Sequence, residues 1–159
     1  MVRVLFVCLG NICRSPTAHG VFSHLVKSSG LNDKVTVDSA GTAGWHIGAE
    51  PDKRSQAVAA QRGYDLSELQ ARQVSLADFI RFDYILAMDE QNLQDLKLLR
   101  PENYKGCLKL FLSFDQCFAE TEVPDPYYGG DQGFEHVVDL IEAAAQALLN
   151  DIQLRHLKN

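Results

Sequence analysis

The sequence predicts an α/β fold in three layers, helix–sheet–helix, built on a parallel sheet of four strands. Three observations carry that expectation. Short apolar or β-branched runs recur at residues 2–7, 35–39, 82–88 and 107–111. A segment with helical signals follows each run. Glycine, proline or a capping residue marks most of the joins. Strands that alternate with helices pair in parallel and connect by right-handed crossovers.

The elements follow in order. Residues 2–7 form an almost unbroken apolar run, suited to a strand buried on both faces. Ser15 and Pro16 read as a helix start, a serine cap with proline at the first helical position. Ala18, Val21, Phe22, Leu25 and Val26 then share one helix face, and Gly30 is a stop. Residues 35–39 are the second strand, broken by the glycine-rich stretch 40–44. Pro51 and Asp52 open a short helix to about Arg62, closed by Gly63. Residues 64–80 are ambiguous, with Ser75 available to cap a helical turn. Residues 82–88 are the third strand. Asp89 caps a helix bearing Leu93, Leu96 and Leu99, ended by Pro101. The fourth strand is 107–111, and a long loop spans 112–130. The last helix keeps Phe134, Val137, Val138, Ile141, Ala145, Leu148, Leu149 and Ile152 on one face. The expected sheet is Rossmann-like or flavodoxin-like with strand order 2-1-3-4, in a single domain covering 1–159. Ligands of such sheets bind at the carboxyl ends of the strands.

That rule directs attention to the loop after the first strand. Cys8 stands at the strand's end, and Leu9, Gly10, Asn11, Ile12, Cys13 and Arg14 lead into the helix. Free backbone N–H groups at a helix start and the helix dipole attract anions. Gly10 and Asn11 tolerate the positive φ of a tight loop. Arg14 can grip two oxygens of a phosphate at once. Such a field favours the cysteine thiolate, the nucleophilic form. Ser15 can donate a hydrogen bond to that sulfur. A thiolate beside a bound tetrahedral anion suits phosphoester cleavage, which also needs an acid for the leaving oxygen. Asp125 is the candidate, framed by Pro124 and Pro126 and therefore stiff. Tyr127 and Tyr128 can wall a slot for a flat aromatic group.

Composition limits the alternatives. The chain has 159 residues, 46% hydrophobic and 23% charged, enough for a full core. Asp+Glu number 21 against 15 Lys+Arg, a net charge of −6, which argues against nucleic acid as a partner. No run approaches the roughly 20 apolar residues of a membrane span. The opening apolar run is too short for a signal peptide. Four cysteines (Cys8, Cys13, Cys107, Cys117) do not make a secreted disulfide framework, and a reducing cytoplasm is the expected compartment. The five histidines show no metal-ligand spacing and read as surface or helix-face residues. Neither metal nor other cofactor is expected.

Residues 8–16, CLGNICRSP, resemble the phosphate-binding loop of the low-molecular-weight protein tyrosine phosphatases. The larger tyrosine phosphatases carry histidine before the cysteine, where Val7 stands here. Asp125-Pro126-Tyr127 resembles the family's general-acid segment. Asp38-Ser39-Ala40-Gly41, Ala71-Arg72-Gln73 and Met88-Asp89-Glu90 also match family segments, so the resemblance covers nearly the whole chain. It implies Cys8 as nucleophile, Arg14 as phosphate clamp and Asp125 as acid and base, acting through a cysteinyl-phosphate. Phosphotyrosine proteins or small aryl phosphates are the implied substrates and inorganic phosphate a product. Ser39 is expected to bond Asn11, and Asp89 to orient Arg14. Trp45 matches an aromatic of the substrate slot, which Ile12 also lines. The resemblance favours a reversible Cys8–Cys13 disulfide. The chain departs from some members at Leu69, where a histidine supports the loop asparagine. Arsenate reductase is a rival, but the extra cysteines it needs near 80–90 are absent. Arginine-specific relatives carry threonine at the place of Ile12. A non-catalytic phosphate-binding or redox-sensing module would have no use for Asp125. A monomer is expected, with exposed aromatics offering a route to weak homodimers.

Overall fold

The computed structural model describes residues 1–127 and 131–157, the side chain of Asp131 excepted. Strands β1 (Val2–Cys8), β2 (Val35–Gly41), β3 (Tyr84–Ala87) and β4 (Cys107–Leu110) pair in parallel in the order β2-β1-β3-β4. Helices α1 (Arg14–Ser28), α2 (Lys53–Gln61), α3 (Asp78–Arg81), α4 (Glu90–Leu99) and α5 (Asp131–His156) complete the fold. The expected fold class and strand order are both observed.

The pleat of β1 divides the core. Val4 and Phe6 face α1 and α5, and Phe6 packs edge-on against Phe22 and Phe111 at 5.7 and 4.9 Å. Leu5 and Val7 face Phe79 of α3 and Leu93 and Leu96 of α4. Successive side chains of a strand point to opposite faces, so a central strand covered on both must be apolar throughout. All eight apolar positions read on the last helix are buried along α5.

Helix ends follow the capping residues, with corrections. Asp52 accepts from the N–H groups of Arg54 and Ser55, and Asp89 from that of Asn92. Gly30 and Gly63 adopt φ of +71° and +91° and close α1 and α2 with paired backward hydrogen bonds. Ser15, expected as the cap of α1, lies inside the helix. The helix begins two residues earlier, after Cys13, which makes no side-chain cap bond. The Ser15 hydroxyl serves the preceding loop instead, and Pro16 falls where its missing N–H costs nothing. Ser75 does not cap α3 with its hydroxyl. Its backbone N–H donates to Asp78 Oδ2 at 2.8 Å. The third strand is shorter than its apolar run, because Phe82 still closes the turn of α3 and Asp89 already caps α4.

Candidate active site

The carboxyl end of β1 delivers Cys8, buried at 3% exposure, into a tight loop. The loop is held from behind by the end of β2. Thr42 N–H donates to Cys8 O and Ala43 N–H to Leu9 O, both at 2.9 Å. The approach is so close that a Cβ on Gly41 would lie 2.6 Å from the Leu9 carbonyl oxygen. Glycine is required there for space.

Asn11 has φ +56°, the one positive value of a non-glycine residue among the described residues. That left-handed turn aims its backbone N–H at Cys8 Sγ, 3.3 Å away. Its side chain locks the turn. Nδ2 donates to Ser15 Oγ at 2.7 Å, and Oδ1 accepts from Arg72 N–H at 3.0 Å. Ser15 Oγ lies 3.0 Å from Cys8 Sγ. The sulfur therefore sits at the start of α1 with donors around it, an arrangement that stabilises negative charge.

Arg14 is also buried. Its Nη1 donates to Asp89 Oδ2 at 2.6 Å and to Val123 O at 3.1 Å. Burial works against its charge, but the neighbouring Cys8 and Asp89 outweigh that cost and raise its pKa. Nη2 lies 3.8 Å from Asp125 Oδ2. The other Asp125 oxygen accepts from Tyr127 N–H at 3.0 Å. Cys8, Ile12, Arg14, Asp125 and Tyr127 line one cavity of about 240 Å³, with Leu9, Gly10 and Cys13 at its wall. Trp45, 72% exposed, stands at the rim.

Cys13 is the second cysteine of the loop, and it too is buried. Burial pushes its thiol up to about 12, against the opposing hydrogen bond from Ser55. A larger groove of about 720 Å³ opens at the opposite end of the sheet beside Tyr84, Tyr104 and Asp151. Its cysteine, Cys107, is likewise pushed up by burial, so that groove has no activated sulfur.

Most of the residues expected at the site do meet there. Asp89 pairs with Arg14 as expected. Ser39 does not bond Asn11, whose side chain is already engaged by Ser15 and Arg72. Its hydroxyl pairs with His19 Nδ1 at 3.0 Å, and burial lowers the His19 pKa. Leu69 accordingly leaves no gap in the support of Asn11. Tyr128 lies outside the described residues. The sequence reading missed His46, which lines the cavity and whose ring would meet a Cβ on Gly10 at 3.0 Å. Its place beside Trp45 was the available signal. It also missed the Val123 carbonyl and the Arg72 amide, backbone groups that leave no mark in residue type.

Known proteins share this sequence and this fold. Residues 3–158 match the family model described as low molecular weight phosphotyrosine protein phosphatase. A putative low molecular weight protein-tyrosine-phosphatase from Synechocystis is 43% identical over 152 residues, covering 95% of this chain and 96% of that one. The crystal structure of a protein tyrosine phosphatase from Entamoeba histolytica superposes with a TM-score of 0.93 at 42% identity, covering all of both chains. A Drosophila arginine phosphatase superposes with a TM-score of 0.88 at 34% identity, over 94% of this chain and 97% of that one.

Proposed function

Since the chain belongs to the low molecular weight phosphotyrosine protein phosphatases, we propose that Cys8, Arg14 and Asp125 carry out its phosphomonoester hydrolysis. The observation that carries this reading is the shared cavity. One buried sulfur with converging donors, one buried guanidinium and one carboxylate face the same space.

The reaction proceeds in two steps. The Cys8 thiolate attacks phosphorus in line. The S–P bond forms as the bond to the leaving oxygen breaks, and Asp125 gives its proton to that oxygen. Water then attacks the cysteinyl-phosphate. Asp125 takes a proton from the water, the S–P bond breaks, and inorganic phosphate leaves with the thiolate restored. Backbone amides of residues 9–14 and the free part of the Arg14 fork hold the equatorial oxygens throughout. As donor in the first step and acceptor in the second, Asp125 ends the cycle in the form in which it began.

Substrates are phosphotyrosine proteins or small aryl phosphates. Trp45 and Tyr127 at the mouth favour a flat ring. Ile12 lines the same cavity and brings no hydroxyl to a guanidinium, which favours phosphotyrosine over phosphoarginine. The Cys8–Cys13 pair suits a reversible disulfide, and a reducing cytoplasm suits the thiolate. Among the described residues no helix is long and apolar enough to cross a membrane.

The test is hydrolysis of para-nitrophenyl phosphate in EDTA and reductant by the unaltered protein, Cys8→Ser and Asp125→Ala. The expected result is activity that the first change abolishes and the second lowers by about tenfold. An inactive unaltered protein that still binds phosphate would overturn the assignment.

A further inference from the structure

The acid-bearing loop is held at points on either side of Asp125. Val123 is fully buried, pinned by its N–H to Met88 O at 2.8 Å and by its carbonyl to Arg14, and Pro126 is buried on the other side of Asp125. Asp125 is 40% exposed and rests on Tyr127 N–H and the long contact to Arg14. One hold on Tyr127 comes from α2. Arg54 Nη2 donates to Tyr127 O at 3.0 Å. The guanidinium also lies over the Tyr127 ring at 5.4 Å and the Phe134 ring of α5 at 4.7 Å. A forked pair to Asp52, with Nε and Nη2 each at 3.2 Å, fixes its orientation.

The same turn of α2 touches the nucleophile loop. Asp52 N–H donates to Ile12 O at 2.8 Å, and Ser55 bonds Cys13. The start of α2 thus reaches both halves of the chemistry. On one side it holds Ile12, two residues from Arg14. On the other, Arg54 holds the Tyr127 peptide whose N–H fixes the Asp125 carboxylate.

We propose that Arg54 is a positioning residue for the general acid, setting the Asp125 carboxylate against the leaving oxygen by clasping Tyr127. The proposal rests on Asp125 being the acid. A planar fork is needed for it, because one group must meet a carboxylate edge-on, a carbonyl and two ring faces together. Lysine offers a point charge and cannot satisfy that set. An acid displaced by about 1 Å loses on the order of a hundredfold in its contribution. That loss should grow as the leaving group becomes more basic.

The experiment compares kcat/KM for para-nitrophenyl phosphate and phenyl phosphate, whose leaving group is the stronger base. The proteins are the unaltered chain, Arg54→Ala, Arg54→Lys, Asp125→Asn and the Arg54→Ala/Asp125→Asn double variant. Inhibition by inorganic phosphate and thermal unfolding are measured in parallel. Expected for both Arg54 variants is a fall of about tenfold to a hundredfold on phenyl phosphate and a much smaller one on para-nitrophenyl phosphate. Phosphate inhibition should stay unchanged, and the double variant should be no worse than Asp125→Asn alone. Equal losses on both esters, weakened phosphate inhibition or additive losses would overturn the role of Arg54 while leaving Asp125 as the acid. Absence of leaving-group bias in Asp125→Asn itself would overturn the acid assignment, and this proposal with it. Arg54→Lys keeps the charge, so it decides the matter if Arg54→Ala unfolds.

Discussion

The loop that carries Cys8 and the loop that carries Asp125 are built on opposite plans. The first is buried, continuous with the central strand, and tied by backbone and side-chain bonds at nearly every residue. The second follows β4 as a long segment, and its acid is 40% exposed. The difference matches the tasks. A cradle for an anion must be preorganised, since donors that reorient at the moment of reaction lose most of their worth. An acid must meet a leaving group that arrives from solvent and departs again. The cradle is therefore rigid by its own sequence, and the acid borrows rigidity from Val123, Tyr127 and Arg54.

Variants can break that contrast, beginning with the cradle. Cys8→Ser should remove turnover by about four orders of magnitude or more, measured by single-turnover hydrolysis, because no comparable nucleophile replaces it. Residual activity within about tenfold of the unaltered protein would mean the cradle acts on water directly. Arg14→Lys should cost about a thousandfold in kcat/KM, since a lysine cannot bond Asp89 and Val123 and still face the anion. Asp125→Asn on the softer side should cost about a hundredfold on a poor leaving group. Comparable losses from Arg14→Lys and Asp125→Asn on every ester would erase the distinction between the two loops.

Two smaller effects sharpen it. At pH 8 iodoacetamide should label Cys8 ahead of Cys13, read by peptide mass spectrometry, because burial holds the Cys13 proton up to about 12. Equal labelling would show that the loop opens. Asp52→Ala should cost about 1 kcal/mol of stability, seen as a lower Tm, through loss of the helix cap. Partial burial works against the Asp52 carboxylate, yet bonds from Arg54 and the Ser55 N–H outweigh it and lower its pKa. Its folded value lies below the unfolded one. The contribution is therefore present above the unfolded pKa and is lost as pH falls through the folded value.

How much was legible follows the same divide. Cys8, Asn11, Arg14 and Ser15 were readable together because they lie on one short stretch, where residue type and spacing imply the geometry. Asp89 was readable as a cap, and its tie to Arg14 came from the family resemblance. The remaining supports join residues far apart in the chain. Arg72 reaches Asn11 across 61 positions, Arg54 reaches Tyr127 across 73, and Arg14 reaches Val123 across 109. In each pair at least one partner is a backbone group, which any residue could supply. Ser39 misled for a related reason. Its place beside the loop was right, but α1 brought His19 to its hydroxyl first.

The glycine at the end of β2 has a wider consequence. β2 is an edge strand whose outer side is bridged at its end, where Gly41 pairs with Gln73, and edge strands fray more readily than central ones. Because Gly41 lets it press against the Cys8 loop, the amides of Thr42 and Ala43 hold catalytic backbone as well as sheet. Occupation of the cradle and order at that margin of the sheet are thus linked. A bound oxyanion tightens the border of the fold, and a loosened border slackens the grip on the anion. Catalytic competence in this chain reports on the integrity of an edge strand.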